Sequence, residues 1–424
     1  MRVMKDSGIE WIRQIPNKWT LKRIKFLADS STTDSFTDGD WIEAPFIEQD
    51  GIRYLTTGNI GDGEFKRQGD GYISEETFNL LKCKFVYPGD LIISRLNQPF
   101  GRSCILPDDE DRYIVAVDNV ILRTKENKQF ICYITQCEGF HQVVGEDSRG
   151  TAMQRISRTN LGKIKIPIPP LPEQSRIAAF LDERCGKIDE AIARHKALIE
   201  KLDEYRKAVI TKAVTKGVRG KREMKESGVD WIGQMPKEWS IIKGRYVYSV
   251  LSGFPLDSEK FSMTDGFPMI RIRDITSGVI ETYYNGDFPV QYVVTKGELL
   301  IGMDGDFRVR QWDNINAVLN QRCCKITEHK YVIRRFLFYV LPLYLKRIND
   351  VIFGTTVKHL SVPDMKVAPI PIPSLEEQAE IVAYLDKKCA AINSAKDRHQ
   401  QLITKLEEYK KSLIYNAVTG KIEC

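Results

Sequence analysis

The stretch Pro167–Asp189, PIPPLPEQSRIAAFLDERCGKID, returns as Pro371–Asn393, PIPSLEEQAEIVAYLDKKCAAIN, at an offset of 204 residues. In both copies a run of prolines and isoleucines stops and an apolar period of three and four begins. Proline fixes φ and carries no N–H, so each proline run reads as extended backbone outside any helix interior. Beyond the prolines each copy reads as one long helix, from about Pro172 to Val214 and from about Leu375 to Ala417. In the first, Ile188, Ile192, His195, Ile199, Leu202 and Val209 form a heptad seam, with Arg206 as its polar break. The second carries Ile392, Lys396, His399, Ile403, Leu406, Lys410 and Leu413 at the matching positions. Leu198 and Tyr205, like Leu402 and Tyr409, are expected to widen the stripe. Ser374 followed by Glu377 has the form of a capping box. Pro172 suits a first helical position. Gly217 and Gly420 suit helix stops.

Each helix of about 40 residues would extend roughly 60 Å at 1.5 Å per residue. Neither can bury its seam alone, and the order domain–helix–domain–helix favours an antiparallel pair of the two. Lys396 stands where Ile192 does, so the helices are not interchangeable, and Lys410 matches Arg206. These basic breaks are expected where a partner's helix, rather than the sister helix, covers the surface. His195 and His399 sit near the middle of their helices, where antiparallel pairing would bring them close. Either a polar layer that sets register or a pH-sensing or partner contact suits them. The linker Lys212–Arg222, KAVTKGVRGKR, has five basic residues and no acid, and reads as a flexible joint able to touch phosphate.

A second repeat opens each half. MKDSGIEWIRQIPNKW (Met4–Trp19) and MKESGVDWIGQMPKEW (Met224–Trp239) share nine of sixteen residues at an offset of 220. The second intervening segment is therefore 16 residues shorter than the first (220 − 204). Trp11, Trp19, Trp231 and Trp239 recur in this repeat and read as core packing. The segments between the repeats are mixed, with β-like runs such as Phe85–Ser94 and Tyr113–Arg123 broken by turn residues. GELLIGMDG (Gly297–Gly305) echoes GDLIISRLN (Gly89–Asn97). The last residues, AVTGKIEC, match AVTKGV at Ala213–Val218, so the chain stops where a third copy would begin, as suits a closed pseudo-two-fold object.

At 424 residues, with 42% apolar and 28% charged residues, the chain reads as two or three globular domains. The net charge of +6 permits nucleic-acid binding without demanding it. No apolar run long enough for a membrane span occurs. The N-terminus lacks the apolar core of a signal peptide. Nine cysteines, an odd number, suit reduced thiols. A cytoplasmic location is expected.

Further paired motifs complete the pattern. YLTTGNIGDG (Tyr54–Gly63) stands against IRIRDITSG (Ile270–Gly278), and PGDLIIS (Pro88–Ser94) against KGELLIG (Lys296–Gly302). GTAMQRIS (Gly150–Ser157) stands against GTTVKHLS (Gly354–Ser361). With the SGIEWIRQIPNKW and SGVDWIGQMPKEW openings and the PIPPLPEQ and PIPSLEEQ helix starts, two full sets occur in one order. On these residues the chain resembles, over almost its whole length, the specificity subunit of type I restriction-modification systems. The resemblance implies an α+β fold of two mixed α/β target recognition domains. These are joined by two long helices in an antiparallel coiled coil with pseudo-two-fold symmetry. The expected segments are 1–165 (first recognition domain), 166–216 (first spacer helix), 217–369 (second recognition domain) and 370–424 (second spacer helix). It implies a non-catalytic reader of double-stranded DNA with a bipartite, asymmetric target. Two methyltransferase subunits and restriction/translocase subunits would dock on it. S-adenosylmethionine, ATP and magnesium would belong to those partners and no cofactor to this chain.

Base readout draws on Arg or Lys for guanine and Asn or Gln for adenine. The candidates in the first domain are Arg95, Asn97, Gln98 and Arg102, then Gln154, Arg155 and Arg158. In the second they are Arg271, Arg273, Arg308, Arg310, Gln311, Gln321, Arg322, Lys358 and His359. No adenine-methyltransferase NPP[FY] motif, no GxGxxG and no GxxxxGK[ST] occurs. PDDED (Pro107–Asp111) and PDMK (Pro363–Lys366) read as surface turns. Cys132 and Cys137 lack a companion Cys/His pair, so no zinc site is expected. Cys323 and Cys324 read as partly buried thiols. The alternative is a coiled-coil adaptor that presents two domains to ligands other than DNA.

Overall fold

The computed structural model describes residues 2–69, 71–148, 154–351 and 358–424. Gly150–Met153 and Gly354–Val357 of the GTAMQRIS and GTTVKHLS motifs lie outside the described residues. The chain divides into two units, Met1–Lys196 with Gln400–Cys424, and Ala197–His399. Each therefore holds one mixed α/β domain and a piece of each long helix, Leu171–Lys216 and Leu375–Val418.

In unit 1 a four-stranded antiparallel sheet has the spatial order Phe36–Asp38, Asn119–Leu122, Leu91–Ser94, Ser103–Ile105. A three-stranded sheet runs Tyr72–Ile73, Ile52–Leu55, Tyr113–Val115, with its last two strands parallel. Unit 2 repeats the plan. Tyr248–Ser252, Cys323–Glu328, Leu299–Gly302 and Val309–Gln311 make the first sheet. Phe261–Ser262, Tyr283–Tyr284, Phe267–Ile270, Ala317–Leu319 and Val293–Val294 make the second, in which Phe267–Ile270 and Ala317–Leu319 are parallel. Leu91–Ser94 and Leu299–Gly302 hold the same interior place and are buried along their length. Such a strand must be apolar on both faces, which explains the unbroken LII and LLI runs. Tyr113–Arg123, which reads as one run, is two strands in different sheets, parted by a turn in which the Asn119 N–H donates to the Ala116 carbonyl.

The proline runs are extended as expected. Lys165–Ile168 pairs with Thr20–Arg23 and Pro369–Ile372 with Ser240–Lys243, each in a two-stranded ladder that tolerates the missing N–H. The first long helix starts one residue before Pro172, with the Pro170 carbonyl accepting from the Glu173 and Gln174 N–H groups. Ser374 caps the second, its Oγ accepting from the Glu377 N–H at 3.3 Å. The Glu377 carboxylate does not close a capping box. It accepts from Trp239 Nε1 at 3.0 Å and pairs with Arg222 at 2.5 Å, buried at 4% exposure. Unit 1 has the counterpart, Glu173 paired with Arg2 at 2.6 Å. Gly217 and Gly420 end the helices at φ of +74° and +73°, and a Cβ on Gly420 would run into Pro16.

Within each unit the helix pieces run antiparallel. In unit 1, Arg2 ties Glu173 at the start of the first helix to Glu423 just past the end of the second, while Lys410 meets Asp189 at 2.7 Å. In unit 2, Arg219 and Arg222, just past the first helix, bond Glu380 and Glu377 at the start of the second, and Lys396 meets Asp203 at 2.6 Å. Lys396 and Lys410 are thus answered by carboxylates of the sister helix, not left for a partner, whereas the buried Nε of Arg206 has no hydrogen-bond partner among the described residues. Such part-exposed pairs are worth about 0–1 kcal/mol, so they select register more than they stabilise. The linker is likewise no flexible joint: the helix runs on to Lys216, and Arg219 and Arg222 clasp the corner.

Ile188, Ile192, Val209, Ile392, Ile403 and Leu413 are buried, while Ile199, Leu202, Leu406, His195 and His399 are half-buried. Leu198, Tyr205, Leu402 and Tyr409 do not widen the buried stripe and are 42–58% exposed. Each precedes a seam position by one residue, a turn of about 100° that takes it off the packed face.

The domains are fastened to the helices by residues the heptad pattern hides. Gln174, fully buried, accepts from the Asn127 N–H at 2.9 Å and donates to the Pro169 carbonyl at 2.9 Å and to Glu126 at 2.6 Å. Gln378, fully buried, accepts from the Ile333 N–H at 2.8 Å and donates to the carbonyls of Pro373 and Tyr331, both at 3.0 Å. Two turns on, Asp182 accepts from Tyr133 at 2.7 Å, and Asp386 from Tyr339 at 2.5 Å and Arg335 at 2.9 Å. Gln378→Leu keeps the volume but strands one N–H and two carbonyls. It should lower stability by about 1–3 kcal/mol, read as a lower urea midpoint, whereas Leu at the exposed Gln401 should leave the midpoint in place.

Candidate nucleic-acid interface

A parallel strand pair brings its two C-terminal ends to the same edge, so residues far apart in sequence become neighbours there. In unit 2 the pair closes with Ile270 beside Leu319. Arg271, Ile272 and Arg273 leave one strand, and Asn320, Gln321 and Arg322 leave the other. Together with Phe261 they line a cavity of about 590 Å³. Arg273 donates to Thr282 Oγ1 at 2.8 Å and lies 3.5 Å from Glu281. Arg322 is held by Asp304 at 3.2 Å, which also accepts from His359 at 2.6 Å. The guanidinium of Arg271 has no hydrogen bond or ion pair among the described residues, while its backbone N–H donates to Asp274 at 2.8 Å. Burial raises the Asp274 carboxyl above its ordinary value, opposed by that N–H and by the charges of Arg273 and Arg271.

Unit 1 has the same strand ends with other side chains. Leu55 lies beside Val115, so Thr56, Thr57 and Gly58 stand for Arg271–Arg273, and Ala116, Val117 and Asp118 for Asn320–Arg322. Asn59 stands for Asp274. It accepts from the Thr56 N–H at 2.9 Å and donates to the carbonyls of Lys66 and Gln68, which shapes the turn.

The other candidates fall into two sets. Asn97, Gln98, Gln154 and Arg155 are exposed and gather on one loop pair. Leu96 bridges Arg155, the Asn97 N–H donates to the Gln154 carbonyl at 3.1 Å, and Arg155 leans on Asp118 at 3.2 Å. Arg158, half-buried, lies 3.7 Å from Asp38, and Arg308 is exposed beside Asp306. Arg95 is instead a strut. It is 6% exposed and donates to the carbonyls of Ile156 at 3.0 Å and Val117 at 2.7 Å, with its Nε 3.2 Å from Asp38. Arg102 spends its donors on the carbonyls of Ile60, Leu96, Asn97 and Thr57, and burial lowers its pKa. Gln311 is bracketed by the Gly297 carbonyl and Arg335, Arg310 by Asp313, and Lys358 donates to the Asn349 carbonyl at 2.6 Å. Asn320 and Phe261 were not among the candidates. The carboxamide criterion that selected Gln321 would have found Asn320, but nothing local singles out Phe261.

The remaining sequence features are structural. In PDDED, Asp109 pairs with Arg67 at 2.8 Å and accepts from Tyr113; in PDMK, Asp364 completes the cap of the short helix Val362–Val367 with Ser361. Trp19 and Trp239 are buried, and Trp11 and Trp231 half-buried. Cys323 and Cys324 are fully buried, not partly, and strand alternation sends them into two different cores. Burial pushes the Cys324 thiol up to about 12 and Cys132 to about 11. Among the described residues no cluster of His, Cys, Asp or Glu is placed to hold a metal ion, and no helix is long and apolar enough to cross a membrane.

Two mixed α/β domains, each mounted on antiparallel helix pieces, present different polar edges at equivalent strand ends. The chain belongs to the type I restriction modification DNA specificity domain family, whose pattern matches residues 16–203 and 236–405. It is 37% identical over 204 residues to the type I restriction enzyme EcoBI specificity subunit of Escherichia coli, covering 47% of this chain and 43% of that relative. The chain thus spans less than half the length of that relative. It is 24% identical to the putative MjaX specificity subunit of Methanocaldococcus jannaschii over 97% of this chain and 95% of that one. Among solved structures, a chain from a study of complex assembly and conformational transition in a type I R-M system superposes with a TM-score of 0.74 at 16% identity, covering 96% of this chain and 99% of that one. The HsdS subunit from Thermoanaerobacter tengcongensis gives 0.52 at 17% identity, covering 96% and 98%.

Arg95→Met should leave the Ile156 and Val117 carbonyls without their donor and Asp38 with only Arg158, 3.7 Å away, and cost about 3 kcal/mol. Gln98→Ala, at an exposed loop position, should leave the thermal midpoint unchanged in the same melting experiment.

Proposed function

We propose that this chain is the non-catalytic DNA reader of a type I restriction-modification complex in the cytoplasm, with each unit reading one half of a bipartite, asymmetric target. The carrying observation is one backbone plan used twice with different chemistry at the same strand ends: Thr56, Gly58 and Asp118 against Arg271, Arg273 and Arg322. A like frame with unlike edges suits two half-sites of different sequence. The long helices set the spacing between the halves. S-adenosylmethionine, ATP and magnesium act on partner subunits.

Docking of two methyltransferase subunits draws support from exposed apolar residues that occur once in each unit at matching helix positions: Leu198 and Tyr205 in unit 2, Leu402 and Tyr409 in unit 1. Restriction subunits join that core.

Co-expression with the cognate methyltransferase subunit, followed by genome-wide mapping of methylated adenine, should give a motif with two defined halves and a fixed unread spacer. Replacing residues Gln49–Gly150 with the equivalent stretch of a relative should change one half only; a change in both halves overturns the one-unit, one-half reading. Deleting seven residues from both long helices in register removes about 10 Å of helix. The spacer should shorten by about three base pairs at 3.4 Å each, and an unchanged spacer would mean that the helices do not set it. Affinity for target duplex should fall steeply as salt rises; a flat salt response would favour an adaptor for other ligands.

A further inference from the structure

We infer that the half-site read by unit 2 contains a guanine recognised by Arg271, in a pocket that Arg273, Arg322 and Gln321 complete, and that unit 1, with Thr56 at the position of Arg271, reads its half by other side chains. The inference rests on the DNA-reading function proposed above and names the base and the residue.

Three observations carry it. The cavity of about 590 Å³ at the C-terminal ends of the parallel pair is lined by three guanidinium groups, two carboxamides and the Phe261 ring. That is the donor set that matches the O6 and N7 acceptors of guanine, with carboxamides able to read a neighbouring base. The arginines are also not equivalent. Arg322 is oriented by Asp304 and Arg273 by Thr282, so both are held in place, while the fork of Arg271 makes no hydrogen bond or ion pair among the described residues and acts on Asp274 only through its charge. A two-pronged donor left unmatched beside held neighbours is the arrangement expected of a group that finds its acceptors on the ligand. Finally, the side chains at these strand ends differ between the two units. The register of the parallel strands puts Thr56, Gly58 and Asp118 at the three arginine positions in unit 1. The exposed loop pair of unit 1 carries the carboxamides of Asn97, Gln98 and Gln154, the chemistry that pairs with adenine N6 and N7.

The test uses the full chain co-expressed with its methyltransferase subunit and reads the methylated motif together with the affinity of the complex for synthetic duplexes. Arg271→Ala should make a single guanine position in one half degenerate. It should reduce discrimination there on the order of 10-fold to 100-fold and leave the other half untouched. Arg271→Gln, which keeps a two-pronged polar group, should shift that position from guanine toward adenine. An unchanged motif in both variants overturns the inference. So does uniform weakening on all duplexes with a salt slope lower by about one, the signature of a phosphate contact. If the unaltered complex yields no bipartite motif, the DNA-reading function itself falls, which differs from a bipartite motif that survives loss of Arg271.

Discussion

Two fully buried glutamines, Gln174 and Gln378, carry the architecture of the units that contain them. Each sits one turn into a long helix, donates back to a proline carbonyl five residues earlier, and accepts from the backbone N–H that opens a helix of the neighbouring domain. A carboxamide out of water is costly unless both its ends are satisfied. The proline turn, the helix start and the domain's own helix are therefore locked in one geometry. Asp182 and Asp386, and the Arg2–Glu173 and Arg222–Glu377 pairs, act in the same places in both units. This is a polar frame written twice.

The frame explains how two edges can differ without disturbing the fold. The parallel strands end at the same register in each unit, so exchanging Thr56 for Arg271 or Asp118 for Arg322 changes what the edge offers but not where it sits. Deeper positions are less free. Arg95 ties two loops of unit 1 through backbone carbonyls; Met303, at the equivalent place after Leu299–Gly302, is buried among apolar side chains. The same sheet position is therefore solved once with a buried guanidinium and once with a thioether.

The long helices were legible because their signals are local: proline runs, a heptad period and glycine stops need no knowledge of the rest of the chain. Their antiparallel direction came from element order. The polar residues near the helix starts were not legible in the same way. Gln174 and Asp182 look like ordinary solvated positions until the domain folds over them. Lys396 and Lys410 looked like openings in the seam, and only packing supplied Asp203 and Asp189 opposite them. Leu198, Tyr205, Leu402 and Tyr409 looked like seam and lie off it, because one residue of helix rotates a side chain by about 100°.

The candidate site divides along the same line. Residue type alone selected arginines and carboxamides, and it selected Arg95 and Arg102 together with Arg271 and Arg322. Their partners separate them: backbone carbonyls from segments distant in the chain take up the donors of Arg95 and Arg102. Arg271 and Arg322 share a cavity because two short parallel strands end side by side, a pairing that strands of three and four residues do not announce. Repetition, helix periodicity and the identity of the family are properties of neighbouring residues and were present in the bare chain. Which guanidinium is a strut depends on the backbone carbonyls beside it, and those are brought into place only when the distant parts of the chain have packed.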